Sequence, residues 1–145
     1  MKALIQRVKK ASVTIDGVLY SKIGAGMLVL LGVEKEDCKI NAQLLVEKLS
    51  KLRIFEDEQG KMNHSILDVK GEMLIVSQFT LCGDCKKGTR PSFDKSAPPQ
   101  IANELYEYFI NEVKKLNIPV QTGKFAAMMD VELINDGPVT FMVQK

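Results

Sequence analysis

Ser77-Gln78-Phe79-Thr80 is polar at the point where an apolar run, Met73-Leu74-Ile75-Val76, comes to an end. The carboxyl ends of strands in an open α/β sheet are the usual places for ligands, which makes these four residues candidates for catalysis. The plain alternative is a strand end whose hydroxyls satisfy turn amides, and the pattern alone leaves both open. A second anomaly is Gly137-Pro138, placed between two β-prone runs where a tight Asn-Asp-Gly turn would have been sufficient. Proline tolerates a cis peptide at about 0.5–1 kcal/mol, and a cis bond would aim two successive carbonyl groups in an unusual direction. A simple β-turn accounts for the same residues.

Other chemistry-bearing residues exclude more than they suggest. The single histidine, His64, lies near Lys61, Met62 and Asn63 in what reads as an exposed turn. A Ser-His-Asp or Cys-His centre therefore lacks its general base. Cys82-Gly83-Asp84-Cys85 has the spacing of a redox pair or half a zinc site. The following Lys86-Lys87-Gly88-Thr89-Arg90-Pro91 cannot cleanly start the helix a redox pair needs, and zinc would have to recruit Cys38 and His64. Two loop thiols and no metal are expected. Gly24-Ala25-Gly26 lacks the third glycine of a dinucleotide fingerprint and falls between strands, so it is a turn and no cofactor is implied. Asp84 and Asp94 are expected to be salt-bridged by the neighbouring Lys86, Lys87, Arg90 and Lys95. Those cations, with Phe93 among them, would suit phosphates and an exposed base, although a solvated loop has the same composition.

Strands and helices must hold these residues in place. Ala3–Val8 and Ser12–Ile15 read as strands, and Asp16-Gly17 is a hairpin turn into Val18-Leu19-Tyr20. Met27 to Val33 is continuously apolar, as a central strand covered on both faces would be. Asp37 is the expected N-cap of a helix from about Cys38 to Lys51, with Ile40, Leu44, Leu45, Leu49 and Leu52 on one face. A short strand around Arg53-Ile54-Phe55 precedes the strand that ends in Ser77-Gln78. A loop from Cys82 to Pro99 leads to a helix with Leu105, Phe109, Val113 and Leu116 inward, stopped by Asn117 and Pro119. Val131–Ile134 and Val139–Val143 read as two final strands joined by Asn135–Pro138. The expectation is one α/β domain over residues 1–145: several strands, two strand–helix units, then C-terminal strands, with helices packed on one side of layered sheet.

The 145 residues are 46% hydrophobic and 26% charged, which fits a globular domain and neither a disordered nor a membrane class. The longest apolar run falls far short of the roughly 20 residues that span a bilayer. Gln6, Arg7, Lys9 and Lys10 occupy the place of a signal peptide's apolar stretch, and three cysteines fit free thiols in a reducing cytosol. A cytoplasmic location is expected. The formal charge of +2 permits a local basic patch and no more.

Ser77-Gln78-Phe79-Thr80-Leu81 and Asn135-Asp136-Gly137-Pro138-Val139-Thr140 resemble the two signature motifs of D-aminoacyl-tRNA deacylases. Ala3–Val8, Arg90–Phe93, Leu105–Phe109 and Thr122–Ala127 also look like family segments in family order, so the likeness covers nearly the whole chain. Cys82-Gly83-Asp84-Cys85 departs from it, because the family more often has small residues and no cysteine pair there. The resemblance implies a homodimer, its active site near the subunit interface, that hydrolyses the ester between a D-amino acid and tRNA. Glycine mischarged on tRNA is also implied as a substrate. Ser77, Gln78, Phe79 and Thr80 would line the site, and Gly137 and Pro138 would reach into the partner's pocket to exclude L side chains. Lys86, Lys87, Arg90 and Phe93 become candidate tRNA contacts. Two alternatives remain at this level: a tRNA-binding module without activity, and a generic small-ester hydrolase using Thr80.

Overall fold

The computed structural model describes residues 1–145. Strand β1 (Lys2–Ile15) turns at Asp16 and Gly17, with φ values of 50° and 75°, into β2 (Val18–Ile23). Positive φ at both turn residues matches the twist of a two-residue hairpin. Strand β3 (Gly26–Gly32) pairs antiparallel with the first half of β1, while β2 pairs with the second half. Helix α1 (Lys39–Lys51) and the small ribbon of β4 (Phe55–Glu56) and β5 (Met62–His64) come next. Strand β6 (Glu72–Ser77) lies parallel to β3. Helix α2 (Pro99–Lys115) returns the chain to β7 (Val120–Thr122), parallel to β6. Strand β8 (Asp130–Gln144) then follows β1 antiparallel along nearly its whole length.

The sheet curls until β2 meets β7, where Ser21 Oγ donates to the Thr122 carbonyl at 2.7 Å and nearly closes a barrel. Alternation along the central strands divides the core between two faces. Met27, Val29 and Leu31 of β3 and Met73 and Ile75 of β6 pack with the helices, through Leu45 and Leu49 of α1 and Tyr106, Phe109 and Val113 of α2. Leu28, Leu74 and Val76 point the other way, into the curl, against Val8, Ala11, Val13 and Ile23. Both faces of β3 and β6 are therefore covered, as their continuous apolar sequences require. Each fully buried Leu or Phe contributes roughly 1.5–3 kcal/mol.

The mixed α/β architecture and the helices on one side match expectation. Several details do not. Cys38 caps α1, with Asn41 Oδ1 accepting from its backbone N–H. Asp37 instead takes the N–H of Glu34 and the terminal ammonium, so it braces the loop before the helix. The buried face of α1 is Ala42, Leu45, Val46 and Leu49, leaving Ile40 and Leu44 exposed. Leu116 is also exposed, beyond the end of α2. The ribbon strand begins at Phe55, and β5 and β7 are too short to show a period. The last two expected strands are one, because β1 is long enough to pair with both.

Candidate active site

Strand β6 delivers Ser77 to the carboxyl end of the sheet, where the Gln78 N–H donates to the Leu31 carbonyl at 2.8 Å. The chain then bends into one 3₁₀ turn, Phe79–Cys82. Gly32 permits that bend. A Cβ at Gly32 would stand 3.0 Å from Leu81 Cβ, 3.1 Å from Cys82 Sγ and 3.2 Å from the Gln78 carbonyl, so the turn lies flat against bare backbone. Phe79 and Thr80 open the turn, and N–H groups at the start of a helical turn have no partner within it. Both residues are exposed. Gln78 Nε2 donates to Thr80 Oγ, which occupies an acceptor position on the hydroxyl without offering a base. No carboxylate, amine or imidazole bonds to Thr80. His64 is on the remote ribbon, opposite Phe55.

The Phe79 ring, 57% exposed, packs against Phe93 with centroids 5.0 Å apart and planes tilted by 57°. Phe93 leads to the basic loop. Lys86, Lys87, Arg90 and Lys95, with Asp84, Ser92 and Asp94, line an open cup of about 340 Å³ that contains no apolar side chain. The expected salt bridges are absent from it: Asp84 accepts the Lys86 N–H at 2.9 Å and Asp94 accepts the Ser92 hydroxyl at 2.8 Å. Both acids shape turns, and the cations remain free.

Gly137-Pro138, a cis peptide, sits in an excursion of β8. Partnering jumps from Asn135 opposite Val8 to Thr140 opposite Gln6, leaving residues 136–139 outside the ladder beside Arg7. Asn135 Nδ2 spans the excursion, donating to the carbonyls of Arg7 and Val139, both at 3.0 Å. The buried Arg7 holds it from below. Its Nε donates to the Asp136 carbonyl at 2.9 Å and pairs with the Asp136 carboxylate at 3.1 Å. Its two Nη atoms bond the Ile54 carbonyl at 2.7 Å and Glu56 at 3.0 Å. Sequence reasoning missed Arg7 and Asn135. The available signal was an arginine at the inward position that continues the Ala3, Ile5 alternation of its strand.

One chain does not bring the two candidate segments together. Strands β1 and β3 separate β8 from β6, so three strand spacings, roughly 14 Å, lie between them across the sheet. Arg7 is level with Met27 and Met73, whereas Ser77 is four residues further along, roughly another 13 Å.

A family profile described as D-Tyr-tRNA(Tyr) deacylase matches residues 4–144. The chain belongs to that family. Two D-aminoacyl-tRNA deacylases illustrate the likeness. That of Thermosipho africanus is 58% identical over 143 residues, covering 99% of this chain and 96% of the relative. That of Geotalea daltonii is 59% identical over 144 residues, with the same coverage. A solved structure described as a c-Myc DNA Unwinding Element Binding Protein superposes with a TM-score of 0.94 at 42% identity, covering 100% of this chain and 99% of that one. A probable eukaryotic D-amino acid tRNA deacylase, 18% identical with a TM-score of 0.85 over 99% and 98% of the two chains, shares the fold. Deacylase membership places the chain among ester hydrolases. The exposed turn after β6 is consistent with that class, since it offers open backbone donors in place of a triad.

Proposed function

We propose that this chain hydrolyses the ester joining a D-amino acid to the terminal adenosine of tRNA, and that it does so as a homodimer. The family match over residues 4–144 carries the proposal. The N–H groups of Phe79 and Thr80 receive the oxyanion that forms as water attacks the ester carbonyl. The substrate's α-ammonium group already activates that carbonyl, and its ribose 2′-hydroxyl assists the water. Phe79 offers a ring face to the adenine, and Lys86, Lys87 and Arg90, with Phe93, take the adjoining RNA.

Gly137-Pro138 acts on the turn of the other subunit, because its own turn is too far away. A row of half-buried Leu4 and Leu30 with exposed Met142 crosses β8, β1 and β3 and gives a second copy an apolar surface to cover. The work of Gly137-Pro138 is exclusion. L-aminoacyl-tRNA is the abundant form, and rejection is best built as a clash. Favouring D side chains by pocket fit would discriminate by only about 1–3 kcal/mol per methylene. A clash with the side chain leaves glycine unopposed, so glycine mischarged on tRNA is also cleaved. The cytosol, where such tRNAs occur, suits three free thiols. No helix is long and apolar enough to cross a membrane.

Purified protein should release amino acid from D-tyrosyl-tRNA and leave L-tyrosyl-tRNA intact. Equal hydrolysis of both would remove the exclusion mechanism. Hydrolysis of neither, with tRNA still bound, would select a second reading, nucleic-acid binding without catalysis. The free cations around the basic cup and the DNA-binding description of the structural relative favour that alternative.

A further inference from the structure

Two thiols stand at the far end of the turn that bears Phe79 and Thr80, and the ester chemistry uses neither. Cys82 is the last residue of the turn. Its Sγ is buried, donates to the Val33 carbonyl at 3.4 Å and rests on Gly32. Burial, with Glu34 nearby, pushes this thiol's pKa up and keeps it protonated. Cys85 is exposed. Both line one open depression of about 460 Å³ with Lys2, Lys86 and Lys95. Lys2 is paired with Glu34 at 2.9 Å, whereas Lys86 and Lys95 make no ion pair.

Gly83 lies between the thiols. Its backbone is extended, with φ −66° and ψ 136°, and a Cβ there would meet both Phe93 Cε1 and the Thr80 carbonyl at 3.0 Å. An extended run of three residue steps covers roughly 10 Å. A disulfide needs Cα atoms within about 4.4–6.8 Å. The bond can therefore close only if the chain turns back at Gly83 and Asp84, between a Cys82 that rests on Gly32 and a Phe93 that packs close to Gly83.

We propose that Cys82 and Cys85 form a thiol–disulfide switch on the reactive turn, set by an anionic low-molecular-weight disulfide. As regulation of that turn, it rests on the function proposed above. The exposed Cys85 thiolate attacks one sulfur of the disulfide RSSR, giving Cys85–S–S–R and RS⁻, which takes up a proton. Cys82 then gives up its proton and attacks the Cys85 sulfur, expelling the second RS⁻, which is protonated in turn. Two protein thiols are oxidised to one disulfide while RSSR is reduced to two RSH. Lys86 and Lys95 attract the carboxylates of R.

The test incubates reduced protein with oxidised glutathione and follows intact mass, peptide maps and D-tyrosyl-tRNA hydrolysis. The expected product has lost two hydrogens, maps to Cys82–Cys85 and turns over about tenfold more slowly or worse. Dithiothreitol restores it. Cys85→Ser retains the reduced protein's rate and resists the oxidant, and Cys82→Ala stops at a mixed disulfide on Cys85. Cystamine, a cationic disulfide, reacts more slowly than oxidised glutathione. A bond that never forms, or one that forms without loss of turnover, overturns the switch. Absence of turnover in the reduced protein instead overturns the deacylase reading, while the mass still reports whether the thiols pair.

Discussion

Thr80 offers its hydroxyl where a nucleophile would stand, yet the group bonded to it is the Gln78 amide, a donor. An alcohol without a base is a poor nucleophile. Thr80→Ala should therefore keep kcat within about tenfold of the parent in single-turnover assays of D-tyrosyl-tRNA, since backbone donors remain. Complete loss in a folded protein would make Thr80 the nucleophile. Arg7 belongs to the same scale. It is a positioning residue, touching Asp136 at both carbonyl and carboxylate. Arg7→Gln should lower the ratio of kcat/KM for D- over L-tyrosyl-tRNA by about tenfold or more, a quantity that loss of folded protein alone does not move. The turn residues were legible in sequence because polar groups interrupt an apolar strand. Arg7 was not, because its meaning lies in Ile54, Glu56 and Asp136, which only folding brings to it.

Among the elements, the loop of residues 83–98, between the turn and α2, has the most distinct task. Its cations are free of carboxylates, so each can contact a phosphate and displace a counterion. Single Ala substitutions at Lys86, Lys87 and Arg90 should each reduce the salt slope of tRNA affinity by about 1 when log K is plotted against log salt. An unchanged slope would move the RNA path off this loop. Composition revealed the loop's charge, but not that Asp84 and Asp94 spend their carboxylates on turns. The long strands were also only partly legible. Val131–Ile134 and Val139–Val143 alternate as strands should, but sequence shows no difference between a turn that reverses a chain and an excursion that lets it continue. The partner decides, and here β1 is long enough to hold both halves. The face of α1 is likewise settled only by packing: Leu44 and Leu45 are equally apolar, and contact with the sheet selects Leu45.

For the whole molecule, the distance between turn and excursion predicts division of labour between subunits. Thr80 is not suited to that test, so Phe79→Ala serves for the turn and Pro138→Ala for the filter. Mixing the two variants should yield heterodimers in which one of the two sites combines an intact turn with an intact filter. The excess of D- over L-tyrosyl-tRNA hydrolysis should reappear at about a quarter of the parent rate after statistical exchange, because half the dimers are mixed and each holds one good site. Recovery of nothing above the separate variants would confine each site to one chain.

The excursion also bears on how the protein avoids its own kind of error. Strand β8 pairs only with β1, so its outer side leaves a row of backbone groups open over 15 residues. An uninterrupted edge of that length is a template for strands of other molecules. Residues 136–139 break it into two short pieces, and Pro138 brings no N–H to the gap. The same four residues proposed to turn away the wrong substrate thus also deny an easy docking line to misfolded neighbours, and selection for solubility would act on them even in a cell that met no D-amino acids.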